Sequence, residues 1–332
     1  MSNIKRHAVA RAPYRISLGG GGTDLTFYAK EKGGFLISAA IDEYISVMVA
    51  HRKLDNDIFI QYSDVERVRN VNDIKHDIIR EVLKYFKISH AFQVSTFSTM
   101  PTFTGLGASS TLIVALIKSI RELLNEKISE TKLAEEAYYI EREVLNLSGG
   151  FQDQYISSLG GVKIIKIDKK LNVECKNLDL RKDVIEELEQ KLILIHSKVD
   201  RRSDKIIDSQ IDEFQKNEKQ IIEIYDKIKN IGKNSVECIK NKDWSNLGKL
   251  MDDHWKIKKR LSDGISSSSI DEMYLELKSF GSQGGKIIGA GGGGFFLMVV
   301  DKDVDNFKKK AEKKDYKLVD YKIDFNGAHS LY

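Results

Sequence analysis

The sequence predicts an α+β fold in two lobes, with a boundary placed near residue 185. Three observations predict it. Segments of strand character and helix character follow one another along the whole chain. More than half of the 24 glycines are gathered in four short loops, at 19–22, 105–107, 149–150 and 289–294. A length of 332 residues exceeds one typical domain, at roughly 100–200 residues each.

Residues 35–50, 57–62, 91–97 and 160–167 are rich in β-branched and aromatic side chains and are predicted as strands. After Gly107 the apolar positions Leu112, Ile113, Leu116, Ile117, Ile120, Leu123 and Leu124 keep helical spacing. Leu133, Ala137, Ile140 and Val144 do the same across 130–146. The second unit, 186–332, opens with a strand at Leu192–His196. A long helical stretch from Ile206 to Ile228 follows, then a helix carrying Trp244 to Trp255. Phe295–Val300 and Leu318–Phe325 are predicted as strands around a Lys-rich helix. No linker or internal repeat separates 1–185 from 186–332.

Composition narrows the function classes. With 53 basic and 49 acidic residues the formal charge is +4, too balanced for a nucleic-acid footprint. The basic clusters Lys256-Lys258-Lys259-Arg260 and Lys308-Lys309-Lys310 are assigned to solvated helix faces. Two distant cysteines, Cys175 and Cys238, have no metal or disulfide spacing and fit a reducing compartment. Residues Met1–Arg6 lack the apolar core of a secretory signal, and no apolar run reaches the roughly 20 residues of a membrane span. The expected location is cytoplasmic, with neither nucleic acid nor membrane as partner.

The chemistry is expected at the loops. Pro101-Thr102-Phe103-Thr104-Gly105-Leu106-Gly107-Ala108-Ser109-Ser110-Thr111 runs straight into a helix. A helix N-terminus offers free N–H groups and partial positive charge, which suits phosphate. Ser109 or Ser110 could cap it, or reach a phosphate-bound Mg²⁺. Neither GxxxxGK[ST] nor a protein-kinase signature occurs. Gly289–Gly294 contains GxGxxG, yet a strand follows it where a dinucleotide fold needs a helix. A tight turn packed on a ligand or on the other lobe stays open.

Three segments resemble the three motifs of the GHMP kinases (galactokinase, homoserine kinase, mevalonate kinase and phosphomevalonate kinase). They are Arg11 to Asp24, Pro101 to Thr111, and Gly285 to Phe296, in the family's order over nearly the whole chain. The resemblance implies a two-lobed kinase fold with ATP and sugar sites in the cleft between lobes. Gly20-Gly21-Gly22-Thr23-Asp24 looks most like the D-glycero-D-manno-heptose 7-phosphate kinases, with fucokinase domains next. Galactokinases would carry Gly-Glu-His-Thr-Asp there, so galactose is disfavoured.

Residue roles follow from the same resemblance. Ser148-Gly149-Gly150-Phe151-Gln152-Asp153-Gln154 resembles the loop of the catalytic aspartate, which makes Asp153 the base and Arg15 its cationic neighbour. Glu141 and Ser109 match the Mg²⁺ ligands, with Ser110 as the alternative serine. Gly105, Leu106, Gly107, Ala108, Ser109 and Ser110 would bind ATP. Gly21, Gly22, Thr23 and Asp24 would bind the sugar. Arg201 and Arg202, at a basic turn after Leu192–His196, would meet the sugar's own phosphate. Taken singly, Arg15 and Glu141 could be an ion pair, and Asp24 a helix N-cap.

ATP and Mg²⁺ are thus the implied cofactors and a small sugar phosphate the implied partner; a homo-oligomer is compatible with the sequence. A heptose 7-phosphate, phosphorylated at O1 for nucleotide-activated heptose and surface polysaccharide, is the expected acceptor, and a fucose-like sugar the alternative. A dinucleotide-dependent oxidoreductase, a GHMP-fold decarboxylase and a non-catalytic sugar sensor are the competing classes. Arg15, Ser109, Glu141 and Asp153 occurring together speak against the sensor.

Overall fold

A computed structural model of the chain describes residues 5–101, 104–199 and 203–331. Twelve strands are present among them: β1 (His7–Gly19), β2 (Gly34–His51), β3 (Ile58–Gln61), β4 (Val65–Val68), β5 (Phe92–Ser98), β6 (Val162–Ile167), β7 (Val173–Asn177), β8 (Leu192–His196), β9 (Gly284–Ile287), β10 (Phe295–Val299), β11 (Leu318–Val319) and β12 (His329–Ser330). The helices are α1 (Thr26–Lys32), α2 (Asp77–Tyr85), α3 (Ala108–Leu123), α4 (Glu130–Tyr139), α5 (Gln152–Leu159), α6 (Lys182–Lys191), α7 (Ser203–Lys216), α8 (Glu218–Lys240), α9 (Trp244–Lys258), α10 (Ser268–Ser279) and α11 (Val304–Lys313).

The strands form an eight-stranded and a four-stranded sheet, the second in the order β11-β8-β10-β9. In the larger sheet the 18-residue β2 is the organiser. One edge pairs with β1 along nearly its whole length; the other is shared, Gly34–Ala39 with β6 and Ile45–His51 with β5. β1 alternates in burial up to Arg11 and is then buried continuously from Ala12 to Gly19. Such a run means that both faces are covered: α3 and α5 pack on β1, and α8 also reaches it. The sequence did not mark β1 as a strand because Pro13 interrupts its pattern. The register of β1 on β2 shifts between Pro13 and Tyr14, and such an irregularity tolerates a residue without an N–H.

Several predicted boundaries change. The helical stretch 206–228 is two helices, broken at Asn217, whose φ of −135° and ψ of 47° leave the helical range. The predicted strand 318–325 shrinks to Leu318–Val319, with one further bridge between Ile41 and Ile323. The tail then returns to the larger sheet, where β12 pairs with β1. One apolar core includes Ile16, Val47, Leu116, Leu194 and Leu297, and therefore draws on both sheets.

The two long glycine loops meet at that junction, backbone against backbone. A Cβ on Gly294 would lie 2.1 Å from the Thr104 carbonyl oxygen, and one on Gly289 would lie 2.7 Å from that of Gly105. Gly294 also donates its N–H to Val199 O at 2.7 Å and accepts from Ser197 N at 2.7 Å. The turn between β9 and β10 is thus packed on the other lobe, the alternative the sequence left open.

Gly294 has φ +90° as well as this collision, whereas Gly281 has φ +119° with nothing within 4 Å. Gly294→Ala is expected to cost well over about 1 kcal/mol of stability. Gly281→Ala, which carries backbone strain alone, is expected to cost less. Urea unfolding of both variants measures the difference, and equal losses would remove the loop contact as the cause.

Candidate active site

A cleft of about 740 Å³ opens between the glycine loops. On its phosphate-loop side, Gly107 takes a left-handed conformation (φ 86°) and α3 begins at Ala108 with no side chain capping it. The expected capping serines do not cap. The first N–H groups of α3 are therefore not taken by a side-chain cap, as an anion site requires. Gly105, Gly107, Ala108, Ser109 and Ser110 line the cleft. Leu106 does not: its side chain is fully buried, and its carbonyl accepts from Arg15 N at 3.3 Å. Its side chain and carbonyl hold the loop on β1, which leaves its backbone N–H as the group that could meet ATP.

Arg15 joins three segments. Its Nε donates to Asp153 Oδ1 at 2.7 Å, its Nη2 to Asp153 Oδ2 at 2.9 Å, and its Nη1 to Gly105 O at 2.6 Å. The fork matches the carboxylate and fixes its plane. Asp153 is in the first turn of α5 and faces the phosphate loop closely, since a Cβ on Gly107 would stand 2.9 Å from its Oδ2. Arg15 thus pairs with Asp153, not with Glu141.

Asp24 lines the same cleft. Its Oδ2 accepts from Gln152 N at 3.0 Å and its Oδ1 from Gly22 N at 3.2 Å. It does not cap α1, whose N-cap is Leu25. Burial raises the Asp24 carboxyl above the ordinary range, and the Gln152 N–H partly offsets this. Gly150 passes so near that a Cβ there would fall 2.1 Å from Asp24 Oδ2. Gly21 and Gly22 line the cleft beside it. Thr23 does not reach it. That side chain is fully buried, and its hydroxyl donates to Gly20 O and Phe35 O and accepts from Phe35 N. The Thr23 side chain builds the loop that carries Gly21, Gly22 and Asp24.

After α4 the chain widens into a π-helical turn, Ile140–Val144, where a single α-helix was expected. Such turns recur at functional sites because they re-aim side chains. Here Glu141 is buried and accepts from Ser110 Oγ at 2.6 Å and from Gln154 Nε2, with Arg142 Nη2 at 3.5 Å. Ser109 is exposed in the cleft one residue earlier. Arg201 and Arg202 lie outside the described residues.

The chain is similar to kinases along most of its length. Residues 73–161 match the model of the GHMP kinases N terminal domain and residues 235–317 that of the GHMP kinases C terminal, together more than half of the chain. The chain belongs to the GHMP kinases. It is a phosphotransferase of that family, which takes phosphate from ATP. It is 29% identical to D-glycero-alpha-D-manno-heptose 7-phosphate kinase of Campylobacter jejuni, across 96% of this chain and 97% of that one. It is 23% identical to the bifunctional fucokinase/GDP-fucose pyrophosphorylase of Arabidopsis thaliana, over 93% of this chain and 31% of that longer protein. The crystal structure of a D-glycero-D-manno-heptose 1-phosphate kinase from Bacteroides thetaiotaomicron superposes with a TM-score of 0.80 at 22% identity, covering 98% of this chain and 99% of that one.

This GHMP kinase also buries cations that sequence reasoning missed. Lys258 of α9 and Lys286 of β9 line the cleft with only 6% and 2% of their surface exposed, and His254 lines it at 1%. Lys258 had been assigned to a solvated face. A usable signal was its spacing from Leu247, Met251 and Trp255, which puts it on the apolar side of α9. Its neighbours Lys256 and Lys259 do sit on the outside, paired with Asp252 and Asp271. Both ring nitrogens of His254 are buried without a hydrogen-bond partner among the described residues.

Burial, then the nearby Lys286 and Lys258, push the His254 pKa well below 6.5. A folded-state pKa below the unfolded one gives stability that is present at neutral pH and lost as pH falls below 6.5. There the unfolded chain takes up a proton that the folded one refuses. The loss approaches about 1.4 kcal/mol per pH unit for one proton. His254→Gln, which does not titrate, should show a flatter dependence of stability on pH between 7 and 5. Equal slopes for the two proteins in urea titrations would mean that His254 protonates freely in the fold.

Proposed function

We propose that the protein transfers the γ-phosphoryl group of ATP to the anomeric hydroxyl of a sugar phosphate. The proposed acceptor is D-glycero-D-manno-heptose 7-phosphate, giving heptose 1,7-bisphosphate. The observation that carries this reading is the bidentate Arg15–Asp153 pair, held against Gly107 at the mouth of the uncapped α3. The end-to-end likeness to a heptose 7-phosphate kinase directs it to that sugar.

In this reading the α3 N-terminus and the loop at Gly105–Ser110 hold the ATP phosphates. Asp24 accepts hydrogen bonds from acceptor hydroxyls, and Gly21 and Gly22 let the sugar approach the backbone. Asp153 keeps lone pairs beyond the two taken by Arg15, so it can accept the O1 proton. O1 then bonds to the γ-phosphorus, the bond to the β–γ bridging oxygen breaks, and ADP leaves. Arg15 holds the carboxylate in line throughout. The chain's contribution is mainly positioning and charge placement, as phosphoryl transfer requires.

The hard oxygen donors of Glu141 and of Ser109 or Ser110 suit Mg²⁺, which keeps most of its shell for phosphate and water. Glu141 fits as a ligand because Ser110 and Gln154 engage one of its oxygens, Oε2, while the residue lines the cleft. When bound, the ion would neutralise charge on the ATP phosphates. The product would enter nucleotide-activated heptose synthesis for surface polysaccharide, a cytoplasmic route. Likeness to fucokinase gives a second reading, an unphosphorylated fucose-like acceptor.

Asp153→Asn is expected to lower kcat by about 10²- to 10⁴-fold with little change in ATP binding, the usual range for a general base. ADP release from heptose 7-phosphate should exceed that from free fucose or mannose. Retention of more than about a third of kcat, far short of that range, removes Asp153 as the base, and preference for a free sugar selects the fucokinase-like reading. Glu141→Gln should raise the Mg²⁺ concentration for half-maximal rate; an unchanged requirement would leave the ion to phosphates and water.

A further inference from the structure

A buried ammonium group without a counter-ion is costly, and such groups persist where something compensates them. Lys286 projects from β9 at 2% exposure and makes no hydrogen bond or ion pair with any described residue. Among the described residues, Lys258 reaches only a carbonyl, Gly289 O. Both feel Arg15, and Lys286 also feels Lys258. His254 lies against the two lysines with both ring nitrogens unpartnered. Four basic side chains thus converge on one wall of the cleft. Among the described acids, Asp153 is taken by Arg15, Glu141 is engaged by Ser110 and Gln154, and Asp24 acts on Lys258 only at a distance.

We infer that Lys258 and Lys286 form a receptor for a phosphate group, and that the phosphate is the acceptor's own. The inference rests on the sugar-phosphate kinase reading above. Two features assign the acceptor rather than ATP. The nucleotide phosphates already have the uncapped N-terminus of α3 and its loop. Lys258 lines the same cleft as Asp24, the carboxylate assigned to the sugar, and feels it after Arg15. A dianion bridging both ammonium groups would supply the compensation that the fold lacks. Burial first, then Lys258 and Arg15, hold the Lys286 pKa well below the usual lysine range, and burial brings Lys258 down to about 8. A bound phosphate would reverse both shifts.

Lys286→Met and Lys258→Met keep the volume and remove the charge, so both variants should fold, with Lys286→Met at least as stable as the parent. The site is probed first with inorganic phosphate on enzyme saturated with a non-hydrolysable ATP analogue, which fills the nucleotide side through its γ-phosphate. Phosphate should raise the parent's Tm and have no effect on either variant's. In steady state, KM for heptose 7-phosphate should rise about tenfold or more, as loss of one charge-assisted contact implies, while KM for ATP stays within about twofold.

No phosphate response in the analogue-saturated parent, or a full response in both variants, overturns the proposal. So does a rise confined to KM for ATP, which would move the lysines to the nucleotide. Loss of the response only in Arg201→Ala/Arg202→Ala would transfer the site to the turn after β8. A lysine-dependent phosphate response in an enzyme that uses no sugar phosphate would leave the anion site standing and sink the substrate assignment alone.

Discussion

The architecture depends on a contact that involves almost no side chains. The turn 288–294 and the phosphate loop 104–107 are packed backbone on backbone, with Gly105, Gly289 and Gly294 each leaving no room for a Cβ. One loop ends a strand of the larger sheet's lobe and the other joins β9 to β10 of the smaller sheet. Their contact sets where the cleft lies and how wide it is. It also brings Lys258 into the site, because Lys258 is anchored on Gly289 O. Backbone contacts of this kind do not tolerate gradual adjustment, since every added atom must displace a carbonyl.

Arg15 converts that static contact into a site. It stands on a stretch of β1 buried on both faces, so its guanidinium has few conformations available. It spends them on Gly105 O and on both oxygens of Asp153. The same residue therefore fixes the phosphate loop and the carboxylate that faces it. A carboxylate held at two points loses little entropy when a hydroxyl arrives, which is the advantage of preorganisation in phosphoryl transfer. Asp24 is fixed in a different way, through the N–H groups of Gly22 and Gln152, so the two acids do not compete for one cation.

What could be read in the sequence follows the same physics. The glycine loops were legible because no other residue fits where a Cβ would strike backbone. The α3 start was legible because a loop opening on an apolar 3.6-residue period has a characteristic pattern. The Arg15–Asp153 pair was not legible from spacing: 138 positions separate the partners, and only the resemblance joined them. Thr23 and Leu106 sit inside the loops that resemble the family's first motif and phosphate loop, yet the side chain of each faces inward and holds its loop together. β1 was overlooked because Pro13 breaks its pattern at the position where the register shifts. Glu141 was located correctly in a helical stretch, but the π turn that aims it has no sequence signature at this length.

Lys258 shows the opposite failure, in which charge was equated with exposure. Its position three residues past Trp255 and seven past Met251 belongs to the apolar face of α9, and periodicity should have outweighed composition. The structural consequence is an imbalance. Arg15, Lys258 and Lys286 share a wall with Asp24 and Asp153, and one of those acids is consumed by Arg15. A site that binds only neutral sugar would gain from replacing Lys286 with an apolar residue of the same volume, because buried, unpaired charge reduces stability. Retaining two lysines there makes physical sense if the occupied cleft carries more negative charge than the empty one. ATP supplies part of that charge at the start of α3. An acceptor that already bears a phosphate is the chemistry that would add to it.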